Sequence, residues 1–456
     1  MERLTYDDDL FLRMECVLGV PVVNQIVWRF DRPVALDALE SMWNLLAAGP
    51  IDRSVRRSRV PGARDSWTSA RRAADPVFIG SPIARAAVEQ WIEDEAAVTL
   101  DPIEGPAWRL SATSVQEGGT VVSLVGSHVV GDGGALTSAA AAALSGRAVP
   151  DDFAPVEQGS ESAIAHIGAD LADGVGRIGA ALSGAARALG RTAVEAVRAR
   201  STSSADAGSS APTTDKDRPR VIVAPAEGTW RPSTVVVDCL SADWSAAAAR
   251  KGGSSNSLLV AVVLGILTGS GRITTQDRVR VALPVSTRTA GDRRANATSG
   301  VSIQVDGGGE YRDDLGAIRA SSKQAFTTQA DRTVTTTFEL LKPLMQVLPD
   351  AIVAKLAASG SAPLCLCSNL GARGVALRAI GGVDATAVAM RSITQNTDVA
   401  LLRRTGGGVS AWWNESGERA TLCVTGLDPD SFPSKQHLRG LVGAEFERWG
   451  LTPEFW

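Results

Sequence analysis

The sequence predicts an α/β (α+β) protein of two similar-sized lobes. Runs rich in β-branched residues, such as VPVVNQIVWRF at residues 20–30 and STVVVDCL at residues 233–240, alternate with segments that repeat apolar residues at helical spacing. At 456 residues the chain exceeds one typical core, and its 44% of hydrophobic residues can form a large one. We therefore predict an N-terminal lobe over residues 1–150, a helical insert and flexible linker over 151–217, and a C-terminal lobe over 218–456.

Elements of the N-terminal lobe follow from local patterns. ALDALESMWNLLAAG has helical spacing and stops at glycine. PAWRLSATSV and TVVSLVGS flank the turn residues QEGG, which predicts a hairpin. LTSAAAAAL is rich in helix formers and predicts a helix after a glycine-rich turn.

The C-terminal lobe has the same mixture. SADWSAAAARKG predicts a helix with a Ser or Asp cap, and SNSLLVAVVLGILTGS a buried helix that Asn256 or Ser257 could cap. DRVRVALPVSTR, ATSGVSIQVDG and PLCLCSNLG predict strands, as do VALLRRTGGGVSAWWNES and RATLCVTG. In SAWWNES, Trp412 and Trp413 should face opposite sides of the strand, one of them in the core. The other could line a cleft, although core packing is favoured.

Composition excludes several classes of protein. A net charge of −4 argues against a general nucleic-acid binder. Five scattered cysteines indicate reduced, mostly buried thiols in a cytoplasmic protein, and we predict no metal site at Cys365 and Cys367, because no second Cys/His pair accompanies them. The N-terminus lacks the features of a signal peptide and no apolar run is long enough to span a membrane, so the sequon at Asn296 carries no weight.

The segment ESAIAHIGADLADGVGRIGAALSGAARALGRTAVEAVRAR combines an apolar stripe with arginines. A helix that lies on an anionic membrane or a lipid substrate has this pattern. A helix that packs on its own domain with its arginines in water has it too, and both interpretations stay open. STSSADAGSSAPTTDKDRPR, which follows, has the composition of a flexible linker.

His128 is the strongest candidate for chemistry among three histidines. It follows the predicted strand VVSLVGS and precedes the turn GDGG, so its imidazole should lie at a sheet edge. A neutral histidine there can act as a general base, whereas Asp132 could orient the ring or hold the loop through an arginine. An ordinary turn is the alternative; the glycines do not match a phosphate-binding loop. His166 and His437 are predicted to lie at the surface.

SHVVGDGG fits the HxxxDG motif and resembles the coenzyme A-dependent acyltransferase and condensation-domain superfamily. LDPIEGPAWRLSATSV upstream, RVRVALPVSTR and LCLCSNLGARG downstream are similar to pieces of that superfamily in order and spacing. The resemblance implies two chloramphenicol-acetyltransferase-like lobes, each a mixed sheet with helices, that meet along a central channel. It also implies that His128 is the general base, that Asp132 pairs with Arg288 to hold the loop, and that Gly133, with Gly134, permits close backbone approach.

The resemblance extends to substrates. It implies an acyl thioester donor, acyl-coenzyme A or acyl-pantetheine, as substrate, with no cofactor and no metal. Ser368 and Asn369 would donate hydrogen bonds near the thioester, although they could equally cap a turn at a strand end. Gly371 follows them in the same loop.

Within the superfamily, the chain most resembles the bacterial wax ester synthase/diacylglycerol acyltransferase group, in its opening LTYDDDLFLRMEC and in the helical insert. Ser127 stands where that group has a first histidine, which bears on the choice of acceptor. This likeness implies long-chain acyl transfer to a fatty alcohol or diacylglycerol, in a protein that is cytoplasmic or peripheral at the inner membrane or lipid inclusions. Two alternatives remain: a condensation-type enzyme that uses carrier-protein thioesters, and a catalytically silent acyl-binding scaffold.

Overall fold

A computed structural model describes residues 2–72, 75–146, 163–202, 230–289, 291–331, 337–358 and 363–456. Its strands are β1 (Val22–Phe30), β2 (Arg53–Arg56), β3 (Ser66–Ser69), β4 (Val77–Ile83), β5 (Trp108–Val115), β6 (Thr120–Ser127), β7 (Ser233–Leu240), β8 (Arg278–Ser286), β9 (Thr298–Asp306), β10 (Cys365–Gly371), β11 (Ala379–Ile380), β12 (Val383–Asp384), β13 (Ala387–Thr394), β14 (Val409–Ser416), β15 (Arg419–Gly426) and β16 (Glu454–Phe455). The predicted linker lies largely outside the described residues.

The described α-helices alternate with these strands. They are α1 (Tyr6–Cys16), α2 (Leu36–Ala47), α3 (Val88–Ala96), α4 (Gly133–Leu144), α5 (Ala163–Thr202), α6 (Ser241–Arg250), α7 (Ser255–Gly269), α8 (Gly316–Ala330), α9 (Thr337–Val347), α10 (Asp350–Ala358), α11 (Val399–Thr405) and α12 (Lys435–Arg448). Among them no single helix is long and apolar enough to cross a bilayer, although the bent pair of α6 and α7 passes that test by length and composition.

The first sheet has the order β13-β1-β6-β5-β4. The predicted hairpin is present as β5 and β6, which pair antiparallel, and only the edge strand β4 runs parallel to its neighbour β5. Strand β13 comes from the other half of the chain and pairs antiparallel with β1. The predicted C-terminal lobe, residues 218–456, therefore lends one strand to the first sheet.

The second sheet has the order β16-β7-β15-β14-β10-β8-β9. Strand β10 runs parallel to both β14 and β8, and the other pairings are antiparallel, so this sheet is mixed as well. Helix α7 is buried along most of its length and packs against β10 and β14, because its sequence is apolar on all sides. The two-lobed α/β class that the sequence predicts is confirmed.

The inner faces of the two sheets meet through a cluster of buried apolar side chains. Val27 of β1 and Val121 of β6 contribute from the first sheet, and Val236 of β7 and Trp412 of β14 from the second. Trp413 faces the opposite side of β14 and stacks on Trp244 in the core of the second lobe. The two tryptophans thus lie on opposite faces of the strand, as predicted, and both are buried.

Three local predictions were wrong. Residues 399–405 form helix α11 and not a strand, because Asp398 caps it by accepting a hydrogen bond from the backbone N–H of Leu401. Ser254, and not Asn256 or Ser257, is the N-cap of α7, and Ser257 returns the hydrogen bond in a capping box. Helix α6 begins after Leu240 without any side-chain cap.

Candidate functional site

His128 lies at the junction of the two sheets. It directly follows β6, and its backbone N–H donates to the carbonyl of Val22 at the start of β1, over 2.8 Å. Its partly exposed imidazole stacks on the ring of Phe11 in α1, with centroids 3.7 Å apart. Strand β6 and helix α1 therefore fix the position of the ring and cover one of its faces.

Asp132 is buried behind the histidine loop and accepts four hydrogen bonds. Its Oδ1 caps α4 through the backbone N–H of Ala135 at 2.7 Å and accepts from Arg288 Nη2 at 3.0 Å. Its Oδ2 accepts from the backbone N–H of Ala297 at 2.8 Å and from Thr298 Oγ1 at 2.9 Å. The Arg288–Asp132 pairing that the family resemblance implies is thus present, and Asp132 does not contact the imidazole.

Burial alone would raise the pKa of Asp132. The positive charge of Arg288 and the hydrogen bonds from Ala297, Ala135 and Thr298 outweigh it, so the pKa lies below its usual value. Because the carboxylate is paired in the folded protein, it adds to the free energy of unfolding. This contribution is complete above the pKa that Asp132 has in the unfolded chain, and it is lost as the pH falls through the lower pKa that it has in the folded protein.

Arg288 holds the loop between β8 and β9 together. Besides Asp132, its guanidinium donates to the backbone carbonyls of Asp292 at 3.2 Å, Arg294 at 2.7 Å and Ala295 at 3.0 Å. The carbonyls that it binds immediately precede Asn296. The ion pair therefore sets where Asn296 lies relative to His128.

Asn296 was missed by sequence analysis and is the polar partner of the imidazole. Its Nδ2 donates to Asp8 Oδ1 at 2.9 Å and to the backbone carbonyl of His128 at 3.0 Å, so its Oδ1 must face Nδ1 of His128, 2.9 Å away. An amide oxygen can only accept, and Nδ1 therefore carries the proton. Nε2 is left with a free lone pair, which is the form a general base requires.

Burial lowers the pKa of His128 below its usual value. The charge of Asp132, the backbone carbonyl of His128 itself, Asn296 and Asp8 act in the opposite direction without reversing that shift. The imidazole is consequently neutral at pH 7 and can accept a proton.

The two glycines of the turn differ in their surroundings. A Cβ at Gly133 would meet no protein atom within 4 Å, whereas a Cβ at Gly134 would lie 3.2 Å from Asp132 Oδ1. The packing of the protein therefore restricts the side chain at position 134, where a Cβ would crowd Asp132, but not at position 133. The open space at Gly133 leaves room for a group that is not part of the chain.

The remaining predicted site residues lie on two strand ends. Ser127 is buried at the end of β6, and its Oγ accepts from the backbone N–H of Val129 at 3.3 Å. Asn369 Oδ1 accepts from the backbone N–H of Gly371 at 2.9 Å, which is the turn-capping role, while Ser368 is buried on the same strand. The structure gives neither Ser368 nor Asn369 a contact with His128.

The other candidates from sequence lie apart from this site. Four cysteines are buried and Cys16 is exposed; Cys365 and Cys367 project to the same side with sulfurs 3.6 Å apart. Among the described residues, no group of three or more His, Cys, Asp or Glu side chains is arranged to hold a metal ion. His437 is exposed near the start of α12 and His166 is half-buried in α5.

Replacing Asp132 by Asn should lower the free energy of unfolding by about 3 kcal/mol, because it leaves the Arg288 guanidinium without its counter-charge. Urea unfolding at pH 7 measures this, and Arg288→Met should cost a similar amount. The difference should shrink as the pH falls below the usual Asp value of 3.8, and it should vanish below the still lower pKa of Asp132 in the folded protein. The exposed pair Arg71–Glu104 is the matched control, and Glu104→Gln should cost under about 1 kcal/mol. Unchanged stability in both site variants would contradict the assigned role.

Replacing Asn296 by Ala should release the tautomer of His128. With three histidines in the chain, ¹⁵N-histidine NMR can resolve both ring nitrogens. We expect a single Nδ1–H tautomer in the wild type and a mixture in Asn296→Ala. The imidazole pKa should fall further, because the amide oxygen favours the protonated ring. A spectrum that still shows one Nδ1–H tautomer in the variant would exclude Asn296 as the residue that sets it.

No protein-family model and no curated protein sequence matches the chain. Solved structures do resemble it. TRI101 from F. sporotrichioides, in complex with coenzyme A and T-2, has a TM-score of 0.59 at 11% identity, covering 100% of this chain and 99% of that one. The condensation domain of the Monacolin K polyketide synthase MokA gives 0.56 at 12%, covering 98% and 96%. Wax ester synthase/diacylglycerol acyltransferase from Marinobacter aquaeolei VT8 gives 0.55 at 13%, covering 98% of each chain. The chain therefore shares the fold of TRI101, of this condensation domain and of this wax ester synthase/diacylglycerol acyltransferase, which is the two-lobed fold that the sequence resemblance implies.

Proposed function

We propose that the protein is an acyltransferase that moves an acyl group from a thioester to a hydroxyl group, with His128 as the general base. The observation that carries the proposal is the hydrogen bond from Nδ1 to Asn296, which leaves Nε2 free as a base at the junction of the two sheets. The fold shared with TRI101 and with a wax ester synthase supports it.

The reaction proceeds by direct attack. Nε2 of His128 accepts the proton of the acceptor hydroxyl while its oxygen bonds to the thioester carbonyl carbon. The tetrahedral intermediate then breaks its C–S bond, and the imidazolium returns the proton to the departing thiolate. No acyl-enzyme forms, and the chain's own residues balance the proton without a metal or a cofactor.

Three parts of the site would assist this step. General-base catalysis is worth roughly a hundred- to ten-thousand-fold, and alignment of both substrates adds to it. The open space at Gly133 suits the approach of the reacting thioester. Ser368 and Asn369 remain candidates for hydrogen bonds to the donor, and Ser127 for contact with the acceptor.

Two donors fit this chemistry. Acyl-coenzyme A is the first choice because of the likeness to the wax ester synthase/diacylglycerol acyltransferase group, and a long-chain acyl group would be its cargo. An acyl chain on a carrier protein's pantetheine arm is the second, since condensation domains have the same fold. The alternative to both is a catalytically silent scaffold that binds acyl chains. Ser127 leaves this alternative open, because it replaces the first histidine of the group that the sequence resembles.

Replacing His128 by Ala should reduce thiol release from acyl-coenzyme A by at least about a hundredfold in kcat, with little effect on KM, because only proton transfer is removed. A thiol-reactive dye measures the rate with a panel of acyl chain lengths and acceptor alcohols, and acyl-loaded carrier protein is the second donor arm. Equal rates for wild type and variant with every pair would reject the proposal. Binding of acyl donors without turnover in the wild type would favour the scaffold.

We further propose that α5 brings the protein to a lipid surface. Five large apolar side chains form the exposed stripe of α5 and are between 48% and 73% exposed: Ile167, Leu171, Val175, Ile178 and Leu182. The spacing of three or four residues places them on one helical face. Helix α5 packs along α9, so the helix is held in place while the stripe remains exposed.

The charges around this stripe favour an anionic surface. Asp170 pairs with Arg3 at 2.6 Å and Asp173 with Arg64 at 2.6 Å, so both aspartates of the helix are neutralised on the side that faces the protein. Arg187 is exposed beyond the stripe, and Arg59 is exposed in the loop that contacts Ile178. A cytoplasmic membrane face or a lipid inclusion that carries anionic lipids would match these cations.

The double substitution Leu171→Ser and Val175→Ser should weaken binding to vesicles of phosphatidylcholine and phosphatidylglycerol by at least about tenfold, since two apolar side chains no longer enter the interface. Vesicle flotation measures it, and Leu36→Ser on the exposed side of α2 is the matched control. Wild-type binding should also weaken when phosphatidylglycerol is omitted. Equal binding of double variant and control, or a wild-type dimer that the double variant abolishes, would overturn the lipid assignment.

A further inference from the structure

Asp8 of α1 divides its two carboxylate oxygens between two tasks. Its side chain is completely buried. Oδ2 accepts from the backbone N–H of Thr5 at 2.8 Å, and Thr5 Oγ1 accepts from the backbone N–H of Asp8 at 3.2 Å, which together form the capping box of α1. Oδ1 takes no part in this cap. Capping therefore accounts for one oxygen of the carboxylate and leaves the other to be explained.

Both hydrogen bonds to Oδ1 of Asp8 come from one residue, Asn296. The backbone N–H of Asn296 donates over 3.0 Å and its side-chain Nδ2 over 2.9 Å, so the carboxylate fixes the amide relative to its own backbone. Nδ2 also donates to the backbone carbonyls of His128 at 3.0 Å and Val129 at 3.3 Å. A reversed amide would set its oxygen against these three acceptors. Asp8 thus helps to keep Oδ1 of Asn296 directed at Nδ1 of His128.

Helix α1 acts on the candidate base at two points. Phe11 follows Asp8 by three residues on the same side of the helix, and its ring stacks on the imidazole with centroids 3.7 Å apart. Asp8 reaches the same imidazole through the amide of Asn296, whose Oδ1 lies 2.9 Å from Nδ1 of His128. One side of α1 therefore supports the ring and also holds the group that sets its tautomer.

The charge of Asp8 acts on the imidazole through this amide. In the described part of the chain, the three donors to Asp8 are neutral amide N–H groups, so the hydrogen bonds bring no positive charge to the carboxylate. Each member of a hydrogen-bonded chain polarises the next, and the carboxylate thereby makes Oδ1 of Asn296 a better acceptor for the N–H of the imidazole. Burial lowers the pKa of the imidazole, and Asp132, Asn296 and Asp8 act in the opposite direction.

We propose that Asp8 is a positioning residue of the transfer reaction: it holds the amide of Asn296 and, through that amide, stabilises the imidazolium that forms when Nε2 of His128 accepts the acceptor's proton. Nδ1 keeps its own proton throughout, Asn296 stays neutral and Asp8 stays a carboxylate. The only proton in transit passes from the acceptor oxygen to Nε2 and then to the departing thiolate. This inference rests on the proposed function and adds a residue to its machinery.

Replacing Asp8 by Asn removes the charge with little change of shape. The pKa of His128, followed by ¹⁵N-histidine NMR, should fall, because the amide of Asn296 becomes a weaker acceptor. The acidic limb of the pH profile of kcat/KM for thiol release should move to lower pH with it, since the base then stays neutral to lower pH. At pH 7 kcat should fall by at least about tenfold, the value of one charge-assisted hydrogen bond, with KM little changed.

Thr5→Ala is the matched control. It removes the hydroxyl oxygen that accepts from the backbone N–H of Asp8 and weakens the cap of α1, but it leaves both hydrogen bonds from Asn296 in place. Its melting temperature should fall, while the pKa of His128 and the pH profile stay as in the wild type. Should Asp8→Asn give no folded protein, Asp8→Ser removes the same charge with a smaller side chain and takes its place.

Two outcomes would overturn the role of Asp8 in the reaction. The first is a pKa of His128 that does not change when the charge of Asp8 is removed. The second is a pKa that Thr5→Ala lowers by as much, because the effect would then come from the cap of α1 and not from the carboxylate beside Asn296.

A double-mutant cycle tests the route through the amide. If the carboxylate acts through Asn296, Asp8→Asn should lower the pKa of His128 less in the Asn296→Ala background than in the wild type. Equal falls in both backgrounds would mean that Asp8 acts on the ring without the amide, and the proposed route would be wrong.

Failure of this inference differs from failure of the proposed function. The NMR titration needs no substrate, so its result stands whether or not the protein transfers acyl groups. An unchanged pKa of His128 in Asp8→Asn would overturn the role of Asp8 and leave acyl transfer intact. Thiol release that survives in His128→Ala would overturn the proposed function instead.

Discussion

One carboxylate, Asp132, joins the loop after β6 to the loop between β8 and β9. It caps α4 and accepts hydrogen bonds from Arg288, Ala297 and Thr298. Because Arg288 also gathers the carbonyls that precede Asn296, the ion pair brings an amide oxygen from the second sheet to a histidine of the first. Positioning by a buried ion pair that makes several further hydrogen bonds is rigid, since removing either partner leaves the other charge buried and unpaired. The tautomer of the His128 imidazole therefore depends on the ion pair between Asp132 and Arg288, although the imidazole takes no part in that pair.

The balance of forces on His128 suits a group that must both accept and return a proton. Burial against Phe11 disfavours the imidazolium, whereas Asp132, Asn296 and Asp8 favour it, and the net pKa lies below the usual value. In the proposed reaction the imidazole is therefore neutral at the start, and the imidazolium is acidic enough to protonate the departing thiolate. An arrangement in which a carboxylate bound Nδ1 directly would give a stronger base but a poorer acid. The neutral amide of Asn296 places the site between these extremes.

Local patterns predicted most elements and the residues His128, Asp132 and Arg288, but not the contacts between distant segments. Strand β13 was missed because its partner β1 lies at the other end of the chain, and pairing over such a separation leaves no local signal. Asn296 was read only as part of a sequon. The signal for its role was its place in the same loop as Arg288, since the ion pair with Asp132 brings that loop close to His128. The sequence also predicted an apolar stripe within residues 161–200. Which side of α5 stays exposed depends on its packing in the folded protein, including the contact with α9, and local sequence does not show that.

The exposed stripe of α5 suits the lipid surface that is proposed for it, because five apolar side chains lie on one helical face and Arg59 and Arg187 are exposed near them. The loop at the candidate base has a different character. Ser127, which directly precedes His128, is buried and accepts a hydrogen bond from the backbone N–H of Val129. A histidine at this position, as in the group that the sequence resembles, would place a second titratable side chain beside His128. The serine hydroxyl carries no charge, so proton transfer in the proposed reaction falls to His128 within this loop.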